Sequence, residues 1–557
     1  MKKQSILSRY LYSIVMLLLV FPPVASAAIS PIQINSALAE ELISYPEELL
    51  GLDWYDVDFI HQEQWLAAVY HGLGILPLWV DGNGPTEQAK QIYNVLRSVE
   101  ADGLLPDDYG VKKIAALWDG QTADQLARLD INVTLGLLGY LHDMQEGRLA
   151  PRLKNPKLFN EAGNISFDPV TAVFEVHNSS NLAEYLAGLA PGHHHYQALK
   201  RKLAHYRNIA SQGGWPIIVS GDTLHPGASD VRIASVRQLL TITGDLAVAA
   251  ELNVEQYDDT LVAAVKSFQS RHGLEADGII GKGTTAVLAV SVEKRIEQIL
   301  INMERWRWTE HLLGTQYVLV DIAGFDLQGV VEDTTQLEMR VIVGKLHHET
   351  PIFSDTIKYL EFNPFWNITP GIARNEMLRK LRKNSDYLAT KHIRLFSSWQ
   401  ADGSEMDPHS IDWNQVSRRQ ISRYKLRQDP GPWNALGVVK FVFPNKYSVY
   451  LHDTPVHSLF EKSDRAFSHG CIRLSEPEQL AQFLLTNNDA GWTPEKIKQV
   501  IENKKRMVIR LHKPVPVHIV YQTAWVDKDD LLHFSRDLYG RDQKLSKALF
   551  GEEASTP

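Results

Sequence analysis

Apolar residues recur three and four positions apart along Gln64 to Leu76 and through Leu126 to Leu149, the spacing that lines one face of a helix. Pro151, Pro156 and Pro169 interrupt this region, so residues 28–225 read as a scaffold of mainly helical elements. A tighter pattern follows over 226–290. Val231 to Thr243 and Thr260 to His272 each carry an apolar stripe, with Gly273-Leu274 and the run Asp277-Gly278-Ile279-Ile280-Gly281 behind them. The glycines allow tight turns, and Thr284-Thr285 stand where they would cap a third helix. Val292 to Trp308 is amphipathic and rich in charge, a connector helix within 291–311. Its Trp306 and Trp308 read as packing residues.

From about residue 312 the period shortens to two. Tyr317 to Ile322, Phe325 to Val331, Leu337 to Val343, Thr356 to Phe362, Gly437 to Phe443 and Tyr447 to Asp453 read as strands, with a turn at Asn445-Lys446. They predict a mostly antiparallel sheet within 312–515. Between Gly371 and Arg427 the strand pattern stops. Twelve basic residues face six acidic ones there, +6 (12 − 6), and Arg374, Arg379, Lys380, Arg382 and Lys383 crowd one helix. That segment, 371–430, reads either as a lid whose charge attracts carboxylates or as a solvated helix face. Ser475-Glu476-Pro477-Glu478 opens a helix through Leu485. Val517 to Tyr521 reads as a strand, and 516–557 as a charged tail without recognisable chemistry. The fold class is multidomain α+β.

Composition narrows the function. With 44% hydrophobic and 22% charged residues the chain is globular, and a net charge of −9 argues against nucleic acid as a partner. Lys2, Lys3 and Arg9 precede an apolar run from Leu11 to Val20 and then Ala25-Ser26-Ala27, the pattern of a secretory signal over 1–27. Export to the periplasm is expected in a cell with two membranes, and an uncleaved signal would act as an inner-membrane anchor. His193-His194-His195 invites a metal reading, but adjacent side chains diverge and no carboxylate lies near in sequence, so a solvated loop is expected.

The remaining chemistry lies between Tyr447 and Leu474. Cys471 is the only cysteine among 557 residues, so no intramolecular disulfide can consume it in an oxidising compartment. A lone cysteine is commonly a small buried apolar residue, and a lone histidine a satisfied core or surface one. Yet a thiol that is to attack a carbonyl needs a base, and His452 stands nineteen residues upstream. Tyr450 shares its strand face, and Gly470 permits a sharp turn before the thiol.

His452 followed by Ser468-His469-Gly470-Cys471-Ile472-Arg473 resembles the L,D-transpeptidase family, whose YkuD-type catalytic domain carries a histidine and then a [ST]-H-G-C-[IL]-[RN] run. The F-Q-x-x-x-G-L and D-G-x-x-G runs of 226–290 resemble a peptidoglycan-binding domain of bacterial wall enzymes. More weakly, 28–225 resembles the scaffold of the large, YcbB-like periplasmic branch. The resemblance implies a β-sandwich-like catalytic fold with a capping insertion. It implies Cys471 as nucleophile and His452 as base, and a peptidoglycan tetrapeptide stem as donor. A diaminopimelate amine would be the acceptor, and the product a 3-3 cross-link. It also implies acylation of Cys471 by carbapenems.

Backbone groups around His469, Gly470 and Cys471, with Ser468, are then the candidate oxyanion and orienting elements, and the Asp453 carbonyl would orient His452. Arg473 is a candidate clamp for a substrate carboxylate or a structural ion-pair member, while Tyr450 and Trp366 are candidate pocket walls. The chemistry needs no metal or organic cofactor. Other wall-synthesis enzymes are expected partners. Hydrolysis of the same thioester, attachment of a lipoprotein to the wall, and a non-catalytic wall-binding role are the alternatives.

Overall fold

The computed structural model describes residues 28–44, 59–149, 167–247, 254–486, 488 and 491–551. The expected signal segment lies outside them. Among the described residues no helix is long and apolar enough to cross a membrane.

The N-terminal region is helical and built around α1, Ala123–Glu146. Leu126, Leu129, Val133, Leu137 and Leu141 are fully buried, and polar Asp130 and Thr134 are buried with them. A helix apolar nearly all round must be surrounded, and the other scaffold helices do this. Asp130 satisfies the loop that crosses it, accepting from Tyr70 Oη (2.5 Å), Leu78 N (2.9 Å) and Trp79 N (2.6 Å).

The histidine triplet corrects the solvated-loop expectation. His193 caps α2, His194–Ser211, by accepting from the Tyr196 N–H. His193 and His195 are buried, and His195 stacks on Trp306 with centroids 5.1 Å apart. Sequence spacing missed this because the partner indole lies more than a hundred residues away. Among the described residues no group of three His, Cys, Asp or Glu side chains could hold a metal ion.

Residues 226–290 form α3 (Arg232–Ile242), α4 (Asp259–Arg271) and α5 (Lys282–Leu288) around a small core of their own. Gln269, from the F-Q run, pins the Asp-Gly turn. Its amide donates to Asp277 Oδ1 (2.8 Å) and Ile279 O (3.0 Å), and its Oε1 accepts from Gly278 N (2.8 Å). Gly281, rather than either threonine, is the N-cap of α5; Thr284 is buried and accepts from Gln269.

The connector α6, Val292–Arg307, is the seam of the molecule. Met303 and Trp306 join the scaffold core to Tyr317, Leu319 and Val330 of the next domain. Two of its three buried arginines are ion-paired, Arg307 with Glu304 (2.7 Å) and Arg305 with Asp542 (2.6 Å), while Arg295 donates to Gln298 Oε1 (2.9 Å) and Val287 O (3.2 Å).

The catalytic-type domain contributes β1 (Gln316–Asp321), β2 (Asp326–Val331), β3 (Thr334–Gly344) and β4 (Phe353–Phe362). The inserted segment carries β5 (Trp366–Ile368), β6 (Ile393–Phe396), β7 (Glu405–Met406) and β8 (Lys425–Gln428). After it come β9 (Val439–Val442), β10 (Leu451–His452), β11 (Ala466–Ser468), β12 (Ile472–Leu474) and, beyond helix α7 (Pro477–Thr486), β13 (Met507–Val520). The order β11-β3-β12-β10-β9-β4-β13-β1-β2 is mostly antiparallel, with parallel pairs β12–β10, β11–β3 and β13–β1. The long strand β3 also pairs with β2, so eight strands close on themselves around an apolar interior. The Tyr447–Asp453 strand expected from alternation is shorter: Ser448 has φ +57°, and pairing begins only at Leu451.

The insertion corrects the expectation that strands stop there. β5-β8-β6-β7 form a second sheet over a separate core of Ile368, Leu378, Leu381, Leu395, Trp413 and Leu426. Strands of two to four residues, one of them with lysine and arginine at alternate positions, carry little apolar signal. Arg382 is structural, donating to Trp413 O (3.2 Å) and Val416 O (2.8 Å).

The segment expected as a charged tail carries defined elements over residues 521–551. A hairpin, Ala524–Val526 with Leu532–Phe534, and helix α8 (Arg541–Phe550) pack against α6.

Candidate active site

The sheet register brings the candidate residues together. Lys440 on β9 faces Glu361 on β4 on one side and His452 on β10 on the other, and His452 faces Arg473 on β12. Cross-strand partners point to the same face, so Glu361, Lys440, His452 and Arg473 form a row. Two residues back along β10 and β12 stand Tyr450 and Cys471, where the Ile472 N–H donates to Tyr450 O (3.2 Å). Tyr450 and His452 share a face, their rings 5.6 Å apart.

The His452 ring is fixed by its Nδ1–H, which donates to the Asp453 carbonyl. A carbonyl only accepts, so Nδ1 holds the proton and Nε2 keeps a free lone pair. Burial, and then the positive charge of Arg473, hold the imidazole down at about 3. The Asp453 carboxylate faces elsewhere and accepts from Val438 N (2.8 Å). It lies so near Gly437 (φ +61°) that a Cβ there would stand 2.0 Å from Oδ2.

Burial pushes the Cys471 thiol up. Hydrogen bonds from the Tyr450 backbone and side chain, and the charges of Lys440 and Arg473, oppose it. Gly470 has φ +110°, and a Cβ there would meet nothing closer than 3.6 Å, so the backbone conformation alone demands glycine. The Gly470 N–H is not open to a substrate oxygen, because it donates to Ser468 Oγ (3.0 Å). Ser468 Oγ in turn donates to Cys471 O (2.5 Å), so the serine ties the turn together. This corrects the expectation that Gly470 lends its N–H to an oxyanion hole. Ser468 and Gly470 instead shape the loop, and the Cys471 N–H has no acceptor among the described residues.

His469 meets the insertion: its Nε2 stands 2.6 Å from Glu376 Oε1. Glu376 lies in a widened turn, Ala373–Met377, of the same helix that carries the basic cluster. The Arg473 guanidinium has no ion-pair partner among the described residues, and its Nε is buried without a hydrogen bond. Trp366 packs against the core of the insertion, at the edge of its sheet, and is half-buried.

Four supports of this site belong to no sequence motif and escape sequence reasoning: Lys440, Glu376, Thr350 and Tyr539. Thr350 Oγ1 donates to Gly470 O (2.9 Å), and Tyr539 Oη donates to Gly344 O (2.5 Å) while accepting from Thr350 N (3.2 Å). Only Lys440 leaves a signal, as the one charged residue inside an otherwise apolar strand, Val439–Val442.

The span 315–509, which contains the loop ending in the half-buried Cys471 thiol and the strand-borne His452 imidazole, matches the model of the L,D-transpeptidase catalytic domain. Residues 315–509 are a YkuD domain. Residues 231–288 match a "Putative peptidoglycan binding domain" and 64–203 a "Scaffold domain". A Haemophilus influenzae protein named "Putative L,D-transpeptidase" is 33% identical over 231 residues, 42% of this chain and 45% of that one. The chain thus spans about half the length of the curated relative it matches. An L,D-transpeptidase from Mycobacterium smegmatis is 13% identical, covering 37% of this chain and 58% of that one, with a TM-score of 0.18. One from Xylanimonas cellulosilytica is 12% identical, covering 54% of this chain and 99% of that one, with a TM-score of 0.18. The YkuD domain is therefore joined to a domain of the putative peptidoglycan-binding type and to a scaffold domain, in an α+β chain of several domains.

Proposed function

We propose that this protein is an exported peptidoglycan L,D-transpeptidase acting through Cys471. The observation that carries the reading is one sheet face holding Cys471, Tyr450, Arg473 and a His452 whose Nε2 is free. His452 Nε2 takes the thiol proton as sulfur attacks the carbonyl of the L-centre residue that precedes a terminal D-residue. The C–N bond breaks, the leaving D-amino acid takes that proton, and a thioester remains. An incoming diaminopimelate amine gives a proton to His452, attacks the thioester and releases the thiol as a 3-3 amide forms. The N–H of Cys471 is the backbone donor left for the developing oxyanion, and the unpaired Arg473 suits a substrate carboxylate.

Hydrolysis by water is the second reading. The Glu376–His469 contact draws the insertion onto the nucleophile motif, and a covered site that excludes water favours an amine acceptor. Mass spectrometry after incubation with disaccharide-tetrapeptides, beside Cys471→Ala, tests both. Dimers lacking one D-alanine, formed only with the intact thiol, are expected. Tripeptide monomers alone would mean hydrolysis, and no change in either sample would leave a binding role. A carbapenem should add its mass to the wild-type protein and leave Cys471→Ala unmodified.

A further inference from the structure

We propose that Lys440 is a positioning residue of this site, the fixed positive charge that favours the ionised form of the Cys471 sulfur. The inference rests on the reading of Cys471 as nucleophile. Lys440 Nζ lies 3.8 Å from the centre of the Tyr450 ring, and Tyr450 stands beside Cys471, its carbonyl accepting from the Ile472 N–H at 3.2 Å. A cation over an aromatic face is held by the ring quadrupole, which here keeps the ammonium over Tyr450, on the segment next to the one that carries Cys471. The register gives Lys440 an acidic neighbour, Glu361, but that carboxylate is already engaged by Arg506 at 2.5 Å. Among the described residues Lys440 forms no ion pair. Its charge is therefore left to act on what lies in front of it.

The groups that face it are Glu361 on β4, Arg506 at the entry to β13, His452 on β10 with Tyr450 just before that strand, Cys471 just before β12 and, one strand further, Arg473 on β12. Lys440 takes no proton in this scheme; the thiol proton still goes to His452. The ammonium only lowers the energy of the negative sulfur, as a nearby opposite charge does. The arrangement also explains why a lysine stands in a strand whose alternate residues, Val439 and Phe441, are fully buried. A purely structural cation at this point would pair with the carboxylate beside it.

The chain has a single cysteine, so thiol alkylation reads this sulfur alone. Rates of reaction of the full chain with iodoacetamide, measured from pH 5 to pH 10, give the midpoint of ionisation. Lys440→Gln should move that midpoint upward and slow alkylation at pH 7 by about tenfold, while Lys440→Arg keeps it near that of the wild type. Glu361→Gln should move it downward, because the carboxylate that partly offsets the two cations is gone. Opposite shifts are not the signature of a loosened fold. If Lys440→Gln titrates with the wild type, or if it does not fold and Glu361→Gln leaves the midpoint unchanged or raised, the proposal is overturned. Opposite shifts in a protein that forms no cross-links would uphold Lys440's role and count against the proposed reaction; cross-linking with an unmoved midpoint would do the reverse.

Discussion

Thr350→Val is the cleanest perturbation of the nucleophile loop. Thr350 is fully buried, and its hydroxyl accepts from Gly344 N (2.9 Å) while donating to Gly470 O (2.9 Å). Valine fills nearly the same space, so no cavity opens; the change removes one hydroxyl and leaves a buried N–H and a buried carbonyl without partners. Each such group costs about 1–3 kcal/mol, giving about 2–6 kcal/mol in all. With a urea slope of about 3 kcal/mol per M, the midpoint of the catalytic domain should fall by roughly 1 M. Thr350→Ser keeps both bonds and loses only a methyl, about 1 kcal/mol. Urea unfolding followed by tryptophan fluorescence compares the two. A valine variant as stable as the wild type, or less damaged than the serine one, would refute the account of Thr350 as the tie between Gly344 and Gly470.

Two further outcomes can be checked directly. His193 is held down to about 3, chiefly by burial, against an ordinary value of 6.5. Its neutral form is the native one, so stability is complete above pH 6.5 and is lost as pH falls toward 3; at pH 5 the loss is about 2 kcal/mol. His193→Asn, which keeps a cap acceptor without a titrating ring, should lose correspondingly less between pH 7.5 and pH 5, and equal losses would count against burial as the cause. The Glu376–His469 contact joins side chains each 32% exposed, so its value to closure of the insertion is less than about 1 kcal/mol. Glu376→Gln should therefore raise the KM for donor peptide by no more than about fivefold at unchanged kcat, and a collapse of kcat instead would place Glu376 in the chemistry.

Much of the site was legible because it is short in sequence. The step of two along β10 predicts that Tyr450 and His452 share a face, and they do. Proximity of a serine to a glycine in sequence, however, does not say which N–H is already spent, and Gly470's is bound to Ser468. Residues that support the loop from a distance were invisible. Thr350 and Tyr539 reach Gly470 and Gly344 only because the sheet folds them there. The histidine triplet failed for the same reason, since Trp306, which turns it from a surface loop into core, enters from the connector helix α6. The helical regions were the easier part, because an amphipathic stripe is a local property. Short strands in the insertion were the harder, because four residues with one or two charges among them hold too little period to see.

The prop of the nucleophile loop sits late in the chain. Tyr539 is made 68 residues after Cys471 (539 − 471), and β13, which lies between β4 and β1, is also completed after the thiol. A chain emerging from the ribosome therefore carries its only thiol for some time before the groups that support its loop have been synthesised. Acquisition of a reactive centre becomes one of the last events of maturation, and a nascent or prematurely stopped chain holds an unaimed thiol.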